Sequence, residues 1–320
     1  MPAPTGILHD HGMEMLTTRQ LYAQGLTFRD IERLTASGDL IRHRRGCYSR
    51  GSASPEDAHL ALARLHDQPW ALETAALAHG LPLLSPIPSQ VQLVEPGCGR
   101  SISRPGRFLH SAPLPAQDLC IVDGTPVTTL ARTVVDITRL RGLSAGLVPW
   151  EAARWRAREE GTLLAFDALA REVVDRLRRR KGIARARSGL EVASCLSQSP
   201  METLSLHMIR GLGLPLPEQQ FAVHDDGGSL IGIADFAWPD VGVLGEYDGK
   251  DKYDRLALPG ESPRDVVRRE KRRQERMELM GWVFARWGRE ELATGHLLAR
   301  RLQRAFEIAR QMRRLSAPAN

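Results

Sequence analysis

The chain has 320 residues, 42% hydrophobic and 26% charged, with a formal net charge of +6. That composition fits two or three globular domains and excludes a disordered or fibrous chain. No stretch approaches the ~18 consecutive apolar residues of a membrane span, and no signal peptide is visible. Cys47, Cys98, Cys120 and Cys195 form no C-x-x-C pair, which argues against a zinc or disulfide framework, so a cytoplasmic location is the expectation.

Residues 1–15 read as a leader. Thr17–Gln24 then reads as a short helix capped by Thr17 or Thr18, and Gly25 supplies a turn. Thr27 caps a second helix on which Phe28, Ile31 and Leu34 recur at helical spacing, with Arg29 and Arg33 on the outward side. Gly38 ends it. A hairpin of Leu40–Arg42 and Cys47–Tyr48 follows around a basic tip containing Arg44 and Arg45. Helix, tight turn, helix and basic hairpin is the winged helix-turn-helix pattern. Its second helix suits the major groove, and arginines at the hairpin tip suit the phosphate backbone.

Residues 53–145 mix short helices and strands. The Pro/Gly-rich run 81–115 separates strands expected at Ser89–Glu95 and Arg107–Ser111. The first 140 residues or so resemble AbiEi-type antitoxins of abortive-infection toxin–antitoxin systems. The likeness runs through Leu21, Gly25, Ile31, Leu34, 38–40 and 45–48, then 74–81, 124–129 and 132–136. It implies a regulator that binds its own promoter and has a cognate toxin partner, and it does not imply an enzyme.

Residues 146–198 read as a basic helical linker. From Ser199 onward the pattern sharpens. Ser199-Pro200-Met201-Glu202 is a capping box that opens a helix, with Met201, Leu204, Met208, Ile209 and Leu212 on one face. Strands are expected at Gln219–His224, Leu230–Trp238 and Val241–Tyr247. A turn at 239–242 would set Asp235 directly opposite Glu246. Two facing carboxylates repel, and a cation between them would relieve the repulsion. Strand alternation adds Asp248 and Lys250 to the same face if the strand runs that far. Hard carboxylate oxygens suit Mg²⁺ or Mn²⁺. Ser262 and Pro263 then start a helix to about Met280 that carries Arg268, Lys271 and Arg272. A strand at Trp282–Trp287 and a long amphipathic helix complete an αβββαβα order.

That order, with Glu202, Asp235 and Glu246-Tyr247-Asp248-Gly249-Lys250, resembles the PD-(D/E)XK nuclease superfamily. The branch it is most similar to is that of very-short-patch-repair endonucleases, through 233–239, 246–249 and 281–286. The likeness implies a restriction-endonuclease-like αβββαβ domain over 199–315, with Glu202, Asp235, Glu246, Asp248 and Lys250 catalytic. One position departs from the pattern: where the superfamily has lysine two residues after the second acid, this chain has Asp248. Glu202 is equally explained as a helix cap, and Glu246 and Asp248 as ion-pair partners of the arginine-rich helix.

The expected architecture is therefore a multidomain α/β (α+β) chain. It has a winged helix-turn-helix at 1–52, a mixed α+β region at 53–145, the basic linker at 146–198 and the nuclease-like domain at 199–315. Two functions follow. One is an Mg²⁺- or Mn²⁺-dependent endodeoxyribonuclease, with Asp235, Glu246 and Asp248 as metal ligands. The other is a non-catalytic, antitoxin-like transcriptional regulator. Both engage double-stranded DNA through Arg29, Arg33, Arg44, Arg45, Arg268, Lys271 and Arg272, and neither needs a membrane. An RNA substrate is disfavoured by an aromatic content of only 5%.

Overall fold

The computed structural model describes residues 15–44, 46–50, 54–97, 99–249 and 262–316. They form a mixed α+β structure with several small sheets in two compact units, one of residues 1–149 with 166–190 and one of 150–165 with 191–320. Among the described residues no helix is long and apolar enough to cross a membrane.

The first unit opens with a three-stranded sheet in the order β1-β3-β2: β1 (Met15–Thr17), β2 (Leu40–Arg44) and β3 (Cys47–Arg50). Between β1 and β2 lie α1 (Thr18–Ala23) and α2 (Phe28–Ser37). Both helices start from reciprocal capping boxes, Thr17 with Gln20 and Thr27 with Asp30, which satisfy amides that helix ends leave orphaned. The expected hairpin is present, and a third strand that the pattern does not predict joins it. β1 pairs with β3 and brings Leu16 into a core with Leu21, Ile31, Leu40 and Tyr48.

One expected core residue points elsewhere. Phe28 is 61% exposed, although its spacing matches Ile31 and Leu34. Leu26, just before the Thr27 cap, packs on the same cluster as Ile31 in the manner of a hydrophobic staple, so the apolar contact at the helix start is already made.

The rest of this unit contains α3 (Pro55–Ala63), α4 (Leu72–Ala78), β4 (Val91–Val94), β5 (Ile102–Arg104), β6 (Arg107–His110), β7 (Leu119–Val122) and β8 (Thr125–Thr128). β4 and β6 are parallel, β5 pairs antiparallel to β6, and β7 and β8 form a hairpin. α5 (Leu130–Arg141) begins at the Thr129 cap. Its Arg132 is fully buried, with Nε 2.7 Å from Asp136 and Nη1 2.8 Å from Asp118; Arg139 holds the second oxygen of Asp136 at 2.6 Å. Breaking one such buried pair typically costs about 3–5 kcal/mol, because the partner is left charged and unpaired. Nearby, Arg141 donates to both oxygens of Glu73 and to Gln92, whose amide oxygen also accepts from His110 at 2.8 Å.

Residues 146–198 are helical, through α6 (Leu143–Glu159), α7 (Leu163–Arg176) and α8 (Ile183–Val192), and the boundaries of the two units fall within them.

The second unit then runs α9 (Pro200–Gly211), β9 (Glu218–His224), β10 (Leu230–Trp238), β11 (Val243–Tyr247), α10 (Pro263–Leu279), β12 (Val283–Trp287), α11 (Arg289–Ala293) and α12 (His296–Ser316). The sheet order is β12-β11-β10-β9, with β11–β12 parallel and the other pairs antiparallel. α9 and α12 supply Leu206, Ile209, Leu298, Leu302 and Phe306 to a core with Phe236, Trp238, Val243 and Trp287. A second cluster joins Val223, Ala237 and Leu244 to Met277 of α10. Trp238 and Trp287 are core residues, and their indole N–H groups donate to Pro215 O and Ser205 Oγ, both at 2.8 Å.

The His110 imidazole titrates at about 4. Burial is the main cause and Arg141 adds to it; Asp136 and Glu73 pull the other way, and Arg139 lowers it further. The unfolded chain takes up this proton near pH 6.5, whereas the folded chain refuses it until about pH 4. Stability is therefore fully present above pH 6.5 and is lost as the pH falls toward 4, by about 3 kcal/mol for a shift of this size. Urea unfolding measured at pH 7 and pH 4.5 should record that loss, and His110→Gln should remove its share of the slope. An unchanged slope in the variant would assign the loss to other groups.

Candidate functional site

The site is a row across the four-stranded sheet. The ladder pairs Phe236 with Gly245 and Trp238 with Val243, joined by the turn 239–242. One step further along the same register, Asp235 lies opposite Glu246, as the turn arithmetic requires. On the far side Glu246 is the ladder partner of Arg286 in the parallel strand β12. On the near side β9 pairs Phe221 with Ala234 and Gln219 with Phe236, so Gln220 faces Asp235. Arg286, Glu246, Asp235 and Gln220 thus follow one another across adjacent strands about 4.8 Å apart.

Glu246 is 1% exposed. A buried carboxylate needs cationic or hydrogen-bonding partners. Arg273 of α10 places Nη2 2.5 Å from Oε1, and Arg286 places Nη2 2.9 Å from Oε2. Arg273 also donates to Ile233 O at 3.1 Å and to Glu270 at 3.0 Å. Burial alone would lower the Arg273 guanidinium, but the Glu246 carboxylate, through charge and hydrogen bond, and Glu270 after it, raise it above its ordinary value. Gly232 makes this crossing feasible: a Cβ there would lie 2.8 Å from Arg273 Cδ and 2.9 Å from Met277 Cε. Gly245, beside Glu246, has a similar reason, since its Cβ would stand 2.7 Å from the Trp287 ring.

Asp235 is half-buried, and its Oδ2 accepts the backbone N–H of Tyr247 at 3.1 Å. Ser199 Oγ caps α9 by accepting the Glu202 N–H, while the Glu202 carboxylate accepts from Ser199 Oγ at 2.7 Å through Oε1, and from Gln198 N at 2.9 Å and Gln220 Nε2 at 3.0 Å through Oε2. Of the expected capping box only the Ser199 half is present, and the Glu202 carboxylate is instead bound to Ser199 Oγ, Gln198 and Gln220. β11 ends at Tyr247. Asp248 continues the ladder only through its N–H to Trp287 O at 2.8 Å, and its side chain is exposed. Lys250 lies outside the described residues. Among the described residues there is no group of three or more His, Cys, Asp or Glu side chains that could hold a metal ion. The three-acid patch expected from strand alternation reduces to Asp235 and Glu246, because Asp248 falls beyond the end of the strand.

Beside the row, α10 borders an open groove of about 670 Å³ lined by Arg268, Arg269, Arg272, Arg273 and Arg276 with Asp265, Glu270 and Ile231. Arg268 and Arg272 are exposed there. Lys271 is exposed too but lies outside the groove lining, 3.8 Å from Glu275. In the first unit, Arg29 and Arg33 are exposed on α2, and Arg33 pairs with Asp30 at 3.0 Å. Arg44 closes β2, and Arg45 lies outside the described residues.

Pattern alone leaves out three site features. It makes Arg286 a strand residue and Arg273 part of a basic face, since their pairing with Glu246 depends on a parallel strand and a helix distant in sequence. Gln220 carries no signal at all. Its backbone φ is +52°, which a side-chain-bearing residue rarely adopts and which pattern does not reveal.

No family model matches the chain. Two Mycobacterium tuberculosis proteins, from two strains and each named only as uncharacterized, are 31% identical to it over 163 residues, which is 51% of this chain and 55% of theirs. The chain thus spans about half the length of the curated relatives it matches.

The two arginines reverse the sign of one expectation. Asp235 and Glu246 read in sequence as a repelling pair whose neutralisation would stabilise the fold, yet the charge of Glu246 is answered by Arg273 and Arg286. Glu246→Gln should therefore lower stability by about 3 kcal/mol, the cost of breaking a buried pair. Asp235→Asn retains an oxygen for the Tyr247 N–H and should stay within about 1 kcal/mol of wild type. Tryptophan fluorescence during urea unfolding separates the two. A Glu246→Gln variant as stable as wild type would mean that the arginines do not hold the carboxylate.

Proposed function

We propose that this chain is a DNA-binding protein whose second unit is a restriction-endonuclease-like module that hydrolyses phosphodiester bonds with Mg²⁺ or Mn²⁺, and whose first 50 residues are a winged helix-turn-helix reader. The observation that carries the reading is the row itself. Two carboxylates from adjacent strands meet at the sheet centre, flanked by an arginine-lined groove of the kind that phosphates occupy. The α–β–β–β–α–β–α order of the elements around it supports the same reading.

Asp235 and Glu246 bring carboxylate oxygens, the hard donors a divalent ion prefers, to neighbouring positions, but both oxygens of Glu246 are held by Arg273 and Arg286, so an ion would have to displace an arginine and recruit further ligands. Bound there, such an ion would polarise a phosphodiester and lower the pKa of a coordinated water. The chain's own residues do the rest. Arg273 and Arg286 balance Glu246, and the α10 arginines Arg268 and Arg272 draw the phosphate backbone past the row. In the first unit, exposed Arg29 and Arg33 face outward from α2, where a recognition helix meets base edges and phosphates.

The regulator reading is favoured by one specific feature: the site's acids are already engaged. Both oxygens of Glu246 face arginines, and both oxygens of Glu202 accept hydrogen bonds from Ser199, Gln198 and Gln220. In that reading the same groove binds DNA, or a cognate toxin protein, without cleavage.

Supercoiled plasmid incubated with Mn²⁺ or Mg²⁺, beside a chelator control, distinguishes the two. Metal-dependent nicking that Asp235→Asn reduces at least 100-fold supports the enzyme, and Mn²⁺ binding without any cleavage of single- or double-stranded DNA hands the protein to the regulator reading. A second experiment concerns the reader. Replacing Arg29, Arg33, Arg44 and Arg45 together with alanine should weaken duplex binding and flatten the slope of log K against log salt, by up to about 0.9 for each phosphate no longer neutralised. Unchanged affinity across a salt titration would remove the N-terminal unit from DNA recognition.

A further inference from the structure

Phe28 is the most exposed aromatic side chain among the described residues, at 61%. It occupies the first position of α2, directly after the Thr27 cap. That end of the helix is fixed. Thr27 Oγ1 accepts the Asp30 N–H at 3.3 Å, and the Asp30 carboxylate accepts the Thr27 N–H at 2.9 Å and its hydroxyl at 2.6 Å. Leu26 already makes the apolar contact beside Ile31. Phe28 thus holds an apolar ring in water from an ordered helix start, a cost that the unit's own core does not relieve. Its neighbours on the exposed face of α2 are Arg29, Glu32, Arg33 and Ala36. A face meant only for phosphates gains nothing from a phenyl ring and is weakened by the Glu32 carboxylate. Base edges suit both residues, because the major groove offers thymine methyl groups to apolar side chains and cytosine amino groups to carboxylates. Helical side chains lean toward the N-terminus, so Phe28 projects from the end of α2 that a recognition helix turns to the bases.

We propose that Phe28 is a specificity-determining residue of the DNA interface, whose ring contacts the 5-methyl group of a thymine in the major groove. This rests on the reading of the first 50 residues as a winged helix-turn-helix. Arg29 and Arg33 beside it supply charge, and Phe28 supplies sequence preference. It neutralises no phosphate, so its loss leaves the salt dependence of binding unchanged.

The test begins by selecting duplexes from a random-sequence library with the full wild-type chain. Each thymine of the enriched site is then replaced in turn by deoxyuridine, which keeps base pairing and deletes only the methyl group. Binding is followed by fluorescence anisotropy for wild type, Phe28→Ala, Phe28→Leu and Arg29→Ala. One replacement should weaken wild type about fourfold, the value of one methyl group in an apolar contact. Phe28→Ala should bind the two duplexes equally, with an unchanged salt slope, and should melt within about 2 °C of wild type because the side chain is exposed. Phe28→Leu keeps an apolar contact and with it the preference for the methyl group. Arg29→Ala should weaken both duplexes by the same factor. If no replacement weakens wild type, or if Phe28→Ala still discriminates fourfold, the thymine contact is overturned while DNA recognition by the first unit stands. If wild type enriches no sequence from the library, the first unit is not a sequence reader, and that reading and this inference fail together.

Discussion

The second unit is organised around a carboxylate buried at the centre of its sheet. An ionised Glu246 among Leu244, Gly245 and the strands beside it would be prohibitively costly without counter-charges. Each counter-charge imposes a structural demand. Arg286 reaches Glu246 only because β12 lies parallel to β11 in a register that makes the two residues partners. Arg273 reaches it only because α10 crosses β10 at Gly232, where no side chain blocks the guanidinium stem. The parallel strand and the helix that precedes it are thus both tied to one acid, and Ile233 O and Glu270 fix the rest of the guanidinium.

The first unit buries ionised side chains of its own around α5. Arg132 is enclosed by Asp118 and Asp136, Asp136 is shared with Arg139, and Arg176 pairs with the other oxygen of Asp118. The segment 132–136, one of the stretches in which the sequence resembles the antitoxins, is accounted for by this packing. Arg132 and Asp136 sit one helical turn apart and bind each other, Val134 and Val135 are fully buried, and the Thr133 hydroxyl lies 2.7 Å from that of Thr128. A sequence signature can arise from such a network as readily as from a binding surface.

What is legible in the sequence is what short-range physics decides. Thr17, Thr27, Ser199 and Ser262 announce their helices because a hydroxyl or carboxylate three residues away satisfies orphan amides locally. The four-residue turn at 239–242 fixes the β10–β11 register, and with it the opposition of Asp235 and Glu246. What is illegible depends on partners far along the chain: β1 joining β3, the parallel pairing of β12, and the arginines that answer Glu246. Phe28 misleads because helical spacing identifies a face without saying whether another residue, here Leu26, has already filled it. The extension of the acidic row to Asp248 fails for a related reason: alternation holds only while the strand continues, and β11 stops at Tyr247.

The charges of the row bear on how the proposed chemistry would begin. Arg273 and Arg286 both answer Glu246, and Arg273 is shared with Glu270, so with Asp235 three carboxylates face two guanidinium groups before any ion or nucleic acid arrives. A divalent cation added alone would leave one uncompensated positive charge in a partly buried place, which a low-dielectric surrounding penalises. DNA phosphates added alone would compete with Glu246 for its arginines. Added together, the cation takes over the carboxylates and the phosphates take over the guanidinium groups, and neutrality is restored. On the proposed function, metal and DNA would then bind cooperatively, each improving the site for the other by the same factor. On that reading, the arginines that hold Glu246 in isolation would become the phosphate contacts of the complex. That exchange makes the engaged state of Glu246 compatible with an enzyme, and it separates a nuclease poised for its substrate from a regulator in which the same ion pairs never open.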